Sequence, residues 1–105
     1  MKQYPQVLCL SVALTLFGGI ETTLAQDVEN GLRLSERWCS ACHAIGSAPG
    51  NFKGVSSFMS IANKETVTSD MIASFLRLPH ATMPNLPLSR KDTLDIAAFI
   101  MKMKK

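Results

Sequence analysis

Cys39-Ser40-Ala41-Cys42-His43 is the stretch on which the reading of this chain turns. Two cysteines three positions apart lie on one face of a helical turn, and a histidine just after the second can swing its imidazole back over that turn. The arrangement grips a flat macrocycle at its edge while a ring nitrogen reaches the metal at its centre. C-x-x-C-H is accordingly read as c-type haem attachment, with Cys39 and Cys42 as thioethers to the vinyl groups and His43 as the proximal iron ligand. A thioredoxin-like dithiol would need a βαβ surround, and no β-periodic run precedes Cys39. Structural zinc would need four nitrogen or sulfur ligands, and adjacent Cys42 and His43 close poorly on one tetrahedral ion. A plain disulfide leaves the placement of His43 unexplained.

Working outward, the N-terminal side has the pattern of a leader. Lys2 is a short positive region, Val7 to Phe17 is an apolar run broken only by Ser11 and Thr15, and Thr23-Leu24-Ala25 is a small-residue cleavage site. The alternative is an uncleaved anchor, for which the run is short against the ~20 residues a spanning helix needs. Cleavage after Ala25 is expected, so residues 1–25 are a signal peptide and residues 26–105 a single domain. Cys9 lies within the apolar run without a small residue before it, which argues against a lipoprotein anchor. Export to a bacterial periplasm fits covalent haem attachment. Loss of Lys2 and Glu21 leaves the formal charge at +3, which two ionised propionates would lower to about +1. That balance gives no nucleic-acid partner. So short a domain has a marginal apolar core, and a buried haem would complete it.

Asp27 to Trp38 reads as a first helix, with Asp27 and Glu29 at the positive end of its dipole and Val28, Leu32, Ser35 and Cys39 on one side. Gly31 inside it costs about 1 kcal/mol of helix propensity relative to alanine and permits close approach of another helix. Trp38 is read as packing. The loop from Ala44 to Gly54 holds three glycines and Pro49, and is expected to supply a carbonyl for the second N–H of His43, from Pro49 or a neighbour. Ser56 to Ala62 is expected as a short helix with Phe58, Met59 and Ile61 inward, then a polar stretch to Thr68. Ser69 is expected to cap a helix over Asp70 to Leu78 with Met71, Ile72, Phe75 and Leu76 as its apolar face, ended by Pro79. The segment from Pro79 to Leu88 has three prolines in ten positions, so it is rigid without being regular. Ser89 and Asp92 form a capping-box-like start for a last helix reaching about Met103. Its stripes are Leu94, Ala97, Ala98 and Met101, and beside them Ile96, Phe99, Ile100 and Met103.

The candidates for a sixth iron ligand are Met59, Met71, Met83, Met101, Met103 and His80. Met71, Met101 and Met103 sit at helical spacing among apolar residues, where methionine fills core gaps, and Met59 reads the same way. Met83 lies in no apolar stripe. It is carried by the stiff loop about 40 residues beyond the haem motif, well placed to present a thioether to the open side of the iron. His80 is the rival and would give bis-histidine ligation. Histidine with methionine raises the potential and leaves no vacant position for substrate, which points to electron transfer.

The Cys39–His43 motif, Gly31 eight residues before Cys39, Met83-Pro84 and the closing Asp95-Ile96-Ala97-Ala98-Phe99-Ile100 together resemble the small class I c-type cytochromes of bacteria. The likeness covers residues 27–103. It implies an all-α cytochrome c fold, three main helices and a short one around one covalently bound haem c, with the first and last helices crossing and Gly31 receiving Phe99. By the same resemblance Cys39 and Cys42 bind haem, His43 and Met83 ligate iron, and no residue is catalytic. The family often has proline before the aromatic residue of the middle segment. Here Ser57 precedes Phe58, which leaves the path of that loop open.

The function expected is a soluble, monomeric one-electron shuttle. Its partners would be redox proteins such as a periplasmic dehydrogenase, a membrane respiratory complex or a terminal oxidase, met through brief and partly electrostatic contacts. Lys53, Lys64, Lys102, Lys104 and Lys105 are candidate contacts, or else ordinary solvated surface. A haem peroxidase or gas sensor would need Met83 to leave the iron and His80 to act as distal acid or base. An electron-accepting subunit dedicated to one dehydrogenase would differ from the shuttle only in its partner.

Overall fold

The computed structural model describes residues 2–3, 18, 25–46, 52–78 and 82–105. Most of the expected leader, with Cys9, lies outside them, as do Pro49, Pro79 and His80. Among the described residues there are four helices and no strand, as expected of an all-α chain: α1 (Val28–Trp38), α2 (Phe58–Ala62), α3 (Ser69–Arg77) and α4 (Arg90–Met101). None of them is long and apolar enough to cross a membrane.

Each helix starts at an oxygen-bearing side chain that accepts an N–H left over from the first turn. Asp27 accepts from Asn30 at 2.9 Å and Ser57 from Ser60 at 3.0 Å. The third cap is a correction: Thr68, not Ser69, accepts the Met71 N–H at 3.2 Å, so α3 begins one residue earlier than expected. At α4 the full capping box forms, Ser89 accepting from the Asp92 N–H at 3.1 Å while Asp92 accepts the Ser89 N–H at 2.9 Å. That helix ends at Met101, and Lys102 to Lys105 continue as turns and coil.

α4 packs against α1, α3 and, more lightly, α2. The core is Cys39, Phe58, Ala62, Ile72, Ala73, Ile96, Ala97 and Ile100. The crossing of α1 and α4 is at Gly31, as the resemblance implied, but the nearest neighbour there is backbone. A Cβ at residue 31 would run into the Asp95 carbonyl and lie 2.9 Å from the Phe99 Cβ. Ser35, wholly buried below it, donates its hydroxyl to the Gly31 carbonyl at 2.7 Å.

Asp95 is also wholly buried. Its carboxylate accepts from the Asp27 N–H at 2.9 Å, the Asn30 amide at 2.8 Å and the Lys91 ammonium at 2.6 Å. Burial by itself would raise this carboxyl, but the Lys91, Asp27 and Asn30 hydrogen bonds and the Lys91 charge bring it below the usual carboxylate range. The clamp fixes the start of α1 against the middle of α4.

Two inward expectations fail. Met59 is exposed on α2 while Phe58 is buried and Ile61 half-buried. On α3 the residues buried by protein are Ile72 and Ala73, whereas Met71 and Phe75 are each about half exposed, at 52% and 53%.

Candidate functional site

α1 delivers Cys39 at its C-terminal end, where the Cys39 N–H bonds the Ser35 carbonyl. The Cys39 carbonyl then accepts two N–H groups, from Cys42 at 3.1 Å and His43 at 2.9 Å. This tight turn sets both thiols and the imidazole beside one space. The two thiols are not bonded to each other. Burial, with the Cys42 thiol beside it, pushes the Cys39 thiol up to about 11, against the pull of a Ser35 hydrogen bond. A thioredoxin-type nucleophile needs the opposite shift. No cluster of three or more His, Cys, Asp or Glu able to hold an ion occurs among the described residues, so the zinc reading gains nothing.

The partner of His43 differs from expectation. Its Nδ1 lies 2.6 Å from the carbonyl oxygen of Ser56, two residues beyond the loop expected to supply it. Gly54, in the left-handed region at φ +83°, makes the turn that precedes Ser56, and the Phe58 N–H bonds the Ala44 carbonyl at 2.9 Å, which closes the loop. A carbonyl can only accept, so Nδ1 carries the proton and Nε2 keeps its lone pair. The Phe58 ring, 5.6 Å from the imidazole centroid to centroid, supports it from the side.

A cavity of about 790 Å³ opens in front of these groups, lined by Cys39, Cys42, His43 and Met83 together. The sequence-expected residues that lie within the described chain are therefore brought to one place. Ile72, Phe75 and Leu76 of α3, Ile96 and Ile100 of α4, and Pro84 and Leu86 of the proline-rich strap make the apolar walls. Met71 and Phe75 thus face the cavity and not the protein core. Val67, from the stretch expected to be polar and exposed, is half-buried and lines it too. Trp38 is another wall residue, with the Arg37 guanidinium 4.9 Å above its ring. Lys53, Lys64, Ser56 and Thr82 are the polar lining, and no carboxylate is among it.

The volume falls within the roughly 300–1,000 Å³ of cofactor sites, and mostly apolar walls with a few convergent polar groups are their usual character. Two thiols at one edge, an imidazole with a free nitrogen on one side and a thioether in the same cavity form a donor set that suits haem.

Two residue groups escaped the sequence reading. The Ser56 carbonyl is backbone and leaves no trace in side-chain chemistry. Met71, Phe75 and Val67 were legible as apolar or loop residues, but their common neighbour was not.

No protein-family model matches the chain, and no solved structure matches it. Among curated proteins it is 36% identical over 98 residues to Cytochrome c-552 of Bradyrhizobium diazoefficiens, a match that covers 92% of both chains.

Proposed function

Because the chain belongs to the small bacterial c-type cytochromes, and so to the haem-based electron carriers, we propose that it is a periplasmic one-electron shuttle with a single covalently attached haem. Cys39 and Cys42 would hold the haem through thioethers, each S–H adding across a vinyl double bond so that nothing leaves. His43 Nε2 and the Met83 sulfur would ligate its iron. Bound there, haem supplies an iron that alternates between ferrous and ferric states.

The observation that carries this reading is the convergence of both thiols, the imidazole and the Met83 thioether on one apolar-walled cavity. The Ser56 carbonyl holds the imidazole in the tautomer that leaves Nε2 for metal. The apolar walls keep water away, so a change of charge at the centre meets little reorganising solvent. An imidazole and a thioether both committed to the iron would favour carriage over catalysis. Export with loss of residues 1–25 belongs to the same proposal, as does exchange of electrons with a dehydrogenase, respiratory complex or oxidase.

Absorption spectra of the purified holoprotein in both oxidation states, with Met83→Ala and His80→Ala, test the ligand set. Met83→Ala is expected to abolish the sulfur-to-iron charge-transfer band and lower the potential, while His80→Ala leaves both in place. The reverse result would replace the thioether by a second imidazole.

A further inference from the structure

A haem tethered at Cys39 and Cys42 by its vinyl groups turns its other edge, which carries two propionates, away from the cysteines. A carboxylate drawn out of water against apolar walls needs a cation beside it. Among the described residues that line the cavity the cations are Lys53 and Lys64. Neither is in an ion pair there; the two pairs of the described chain are Arg33 with Glu29 and Lys91 with Asp95. The two lysines differ in how they are held. Lys53 is on the loop that returns through Ser56 to His43, the neighbour of Cys42. Lys64 is on the connection from α2 to α3, where its N–H bonds the Ile61 carbonyl at 3.3 Å and its carbonyl accepts the Val67 N–H at 3.2 Å. Asn63 just before it is anchored on three sides. Its Nδ2 donates to the Met59 carbonyl at 2.8 Å and the Met103 carbonyl at 3.4 Å, and its Oδ1 accepts the Lys105 N–H at 2.9 Å. With the backbone so fixed, only the side chain of Lys64 is left to be ordered by a partner.

From this anchored cation on the cavity wall we infer that Lys64 is the residue that pairs with a haem propionate. The inference rests on the haem reading above and extends it to the edge of the group that the cysteines do not hold. Val67 and Met71, which follow Lys64 in the chain and line the same cavity, place apolar surface beside the pair, so its attraction is screened less than that of a surface pair. The other charged groups around Lys64 are Glu65, Asp70 in the first turn of α3, and the tail lysines that Asn63 holds; none of these lines the cavity. Lys64 thus keeps the propionate ionised through neutral pH and cancels its charge near the iron. Without that cation the negative charge would favour ferric over ferrous iron.

Redox titration of the purified holoprotein from acid to alkaline pH reads the pairing through the propionate step in the potential. Lys64→Gln is expected to lower the potential and to move that step to higher pH, the acid constant falling by about tenfold or more, with haem content and absorption spectrum those of the parent. Lys64→Arg should restore both the potential and the step. Lys53→Gln removes the same charge from the same lining and should leave the step in place. A Lys64→Gln protein with the parent's step overturns the pairing, because a change of net charge alone would shift the potential without moving the step. A step that moves in Lys53→Gln instead overturns it too, by giving the propionate to the other lysine. A polypeptide isolated without covalent haem would show as much in its absorption spectrum before any titration, and would overturn the function reading along with this one.

Discussion

At Gly31 one missing methylene group sets the distance between two helices. An interior glycine should cost α1 about 1 kcal/mol in propensity, and the reason it is kept is plain from its neighbours. A Cβ there would lie 2.6 Å from the Asp95 carbonyl carbon as well as against Phe99, and neither backbone atom can rotate away. Overpacking of this kind costs roughly 1–3 kcal/mol. Gly31→Ala is therefore expected to destabilise the holoprotein by up to about 2 kcal/mol net, read as a lower denaturant midpoint with unchanged slope. A higher midpoint would mean that the crossing is loose. The need for a small residue was legible in sequence, because helix-breaking in mid-helix calls for a reason. The role of Asp95 was not: its backbone oxygen touches Gly31, its side chain closes a clamp, and neither fact follows from an apolar stripe. His43 gives the same lesson, since its residue type announces a ligand while the atom that orients it is an anonymous carbonyl at Ser56.

At the level of elements, each helix was recognised with its start one or two residues off at α1, α2 and α3, α2 opening at Phe58 and not Ser56, and the helix surroundings were read worst. Thr68 and Ser69 carry the same capping chemistry, so sequence could place that start only to within one residue. The bulk of α3 was recognised from its apolar spacing, yet spacing does not say what covers the apolar face. Ile72 and Ala73 are buried by protein, Ile72 bordering the cavity as well, while Met71 and Phe75 border it half exposed. Ser57, where the family often has proline, shows how the middle segment tolerates the change. Its φ of −68° is the value a proline ring imposes, and its hydroxyl caps α2. Ser57→Ala should thus cost about 1 kcal/mol. Ser57→Pro loses the same cap but gains about 0.4–1 kcal/mol from a stiffer unfolded chain, so its thermal midpoint should lie above that of Ser57→Ala. The opposite order would show that the serine N–H has a role of its own.

For the molecule as a whole, the cavity decides what kind of stability is possible. Its apolar walls come from α1, α3, α4 and the proline-rich strap, so a group bound there by the folded chain stabilises it by mass action. The length expected after cleavage pointed the same way, since so short a domain has a marginal apolar core. Stability should also depend on acid in a definite direction. The Asp95 carboxyl titrates lower in the folded chain than in the unfolded one, so its contribution is complete above the unfolded value near 3.9 and is lost as pH falls through the folded value. Urea titrations at neutral pH and near pH 3 should show Asp95→Asn destabilised by about 1.5–3 kcal/mol at the higher pH, with a smaller difference at the lower. A difference undiminished in acid would assign the loss to shape and not to charge.

The bond from Asp27 to Asp95 joins residues 68 positions apart, so nearly the entire domain is one closed ring. The entropy of closing such a ring grows only with the logarithm of its length, but contacts this distant slow the search for the native shape. Synthesis runs from the N-terminus. The first helix therefore emerges long before the twelve residues it must grasp, and its clamp cannot close until Asp95 has followed.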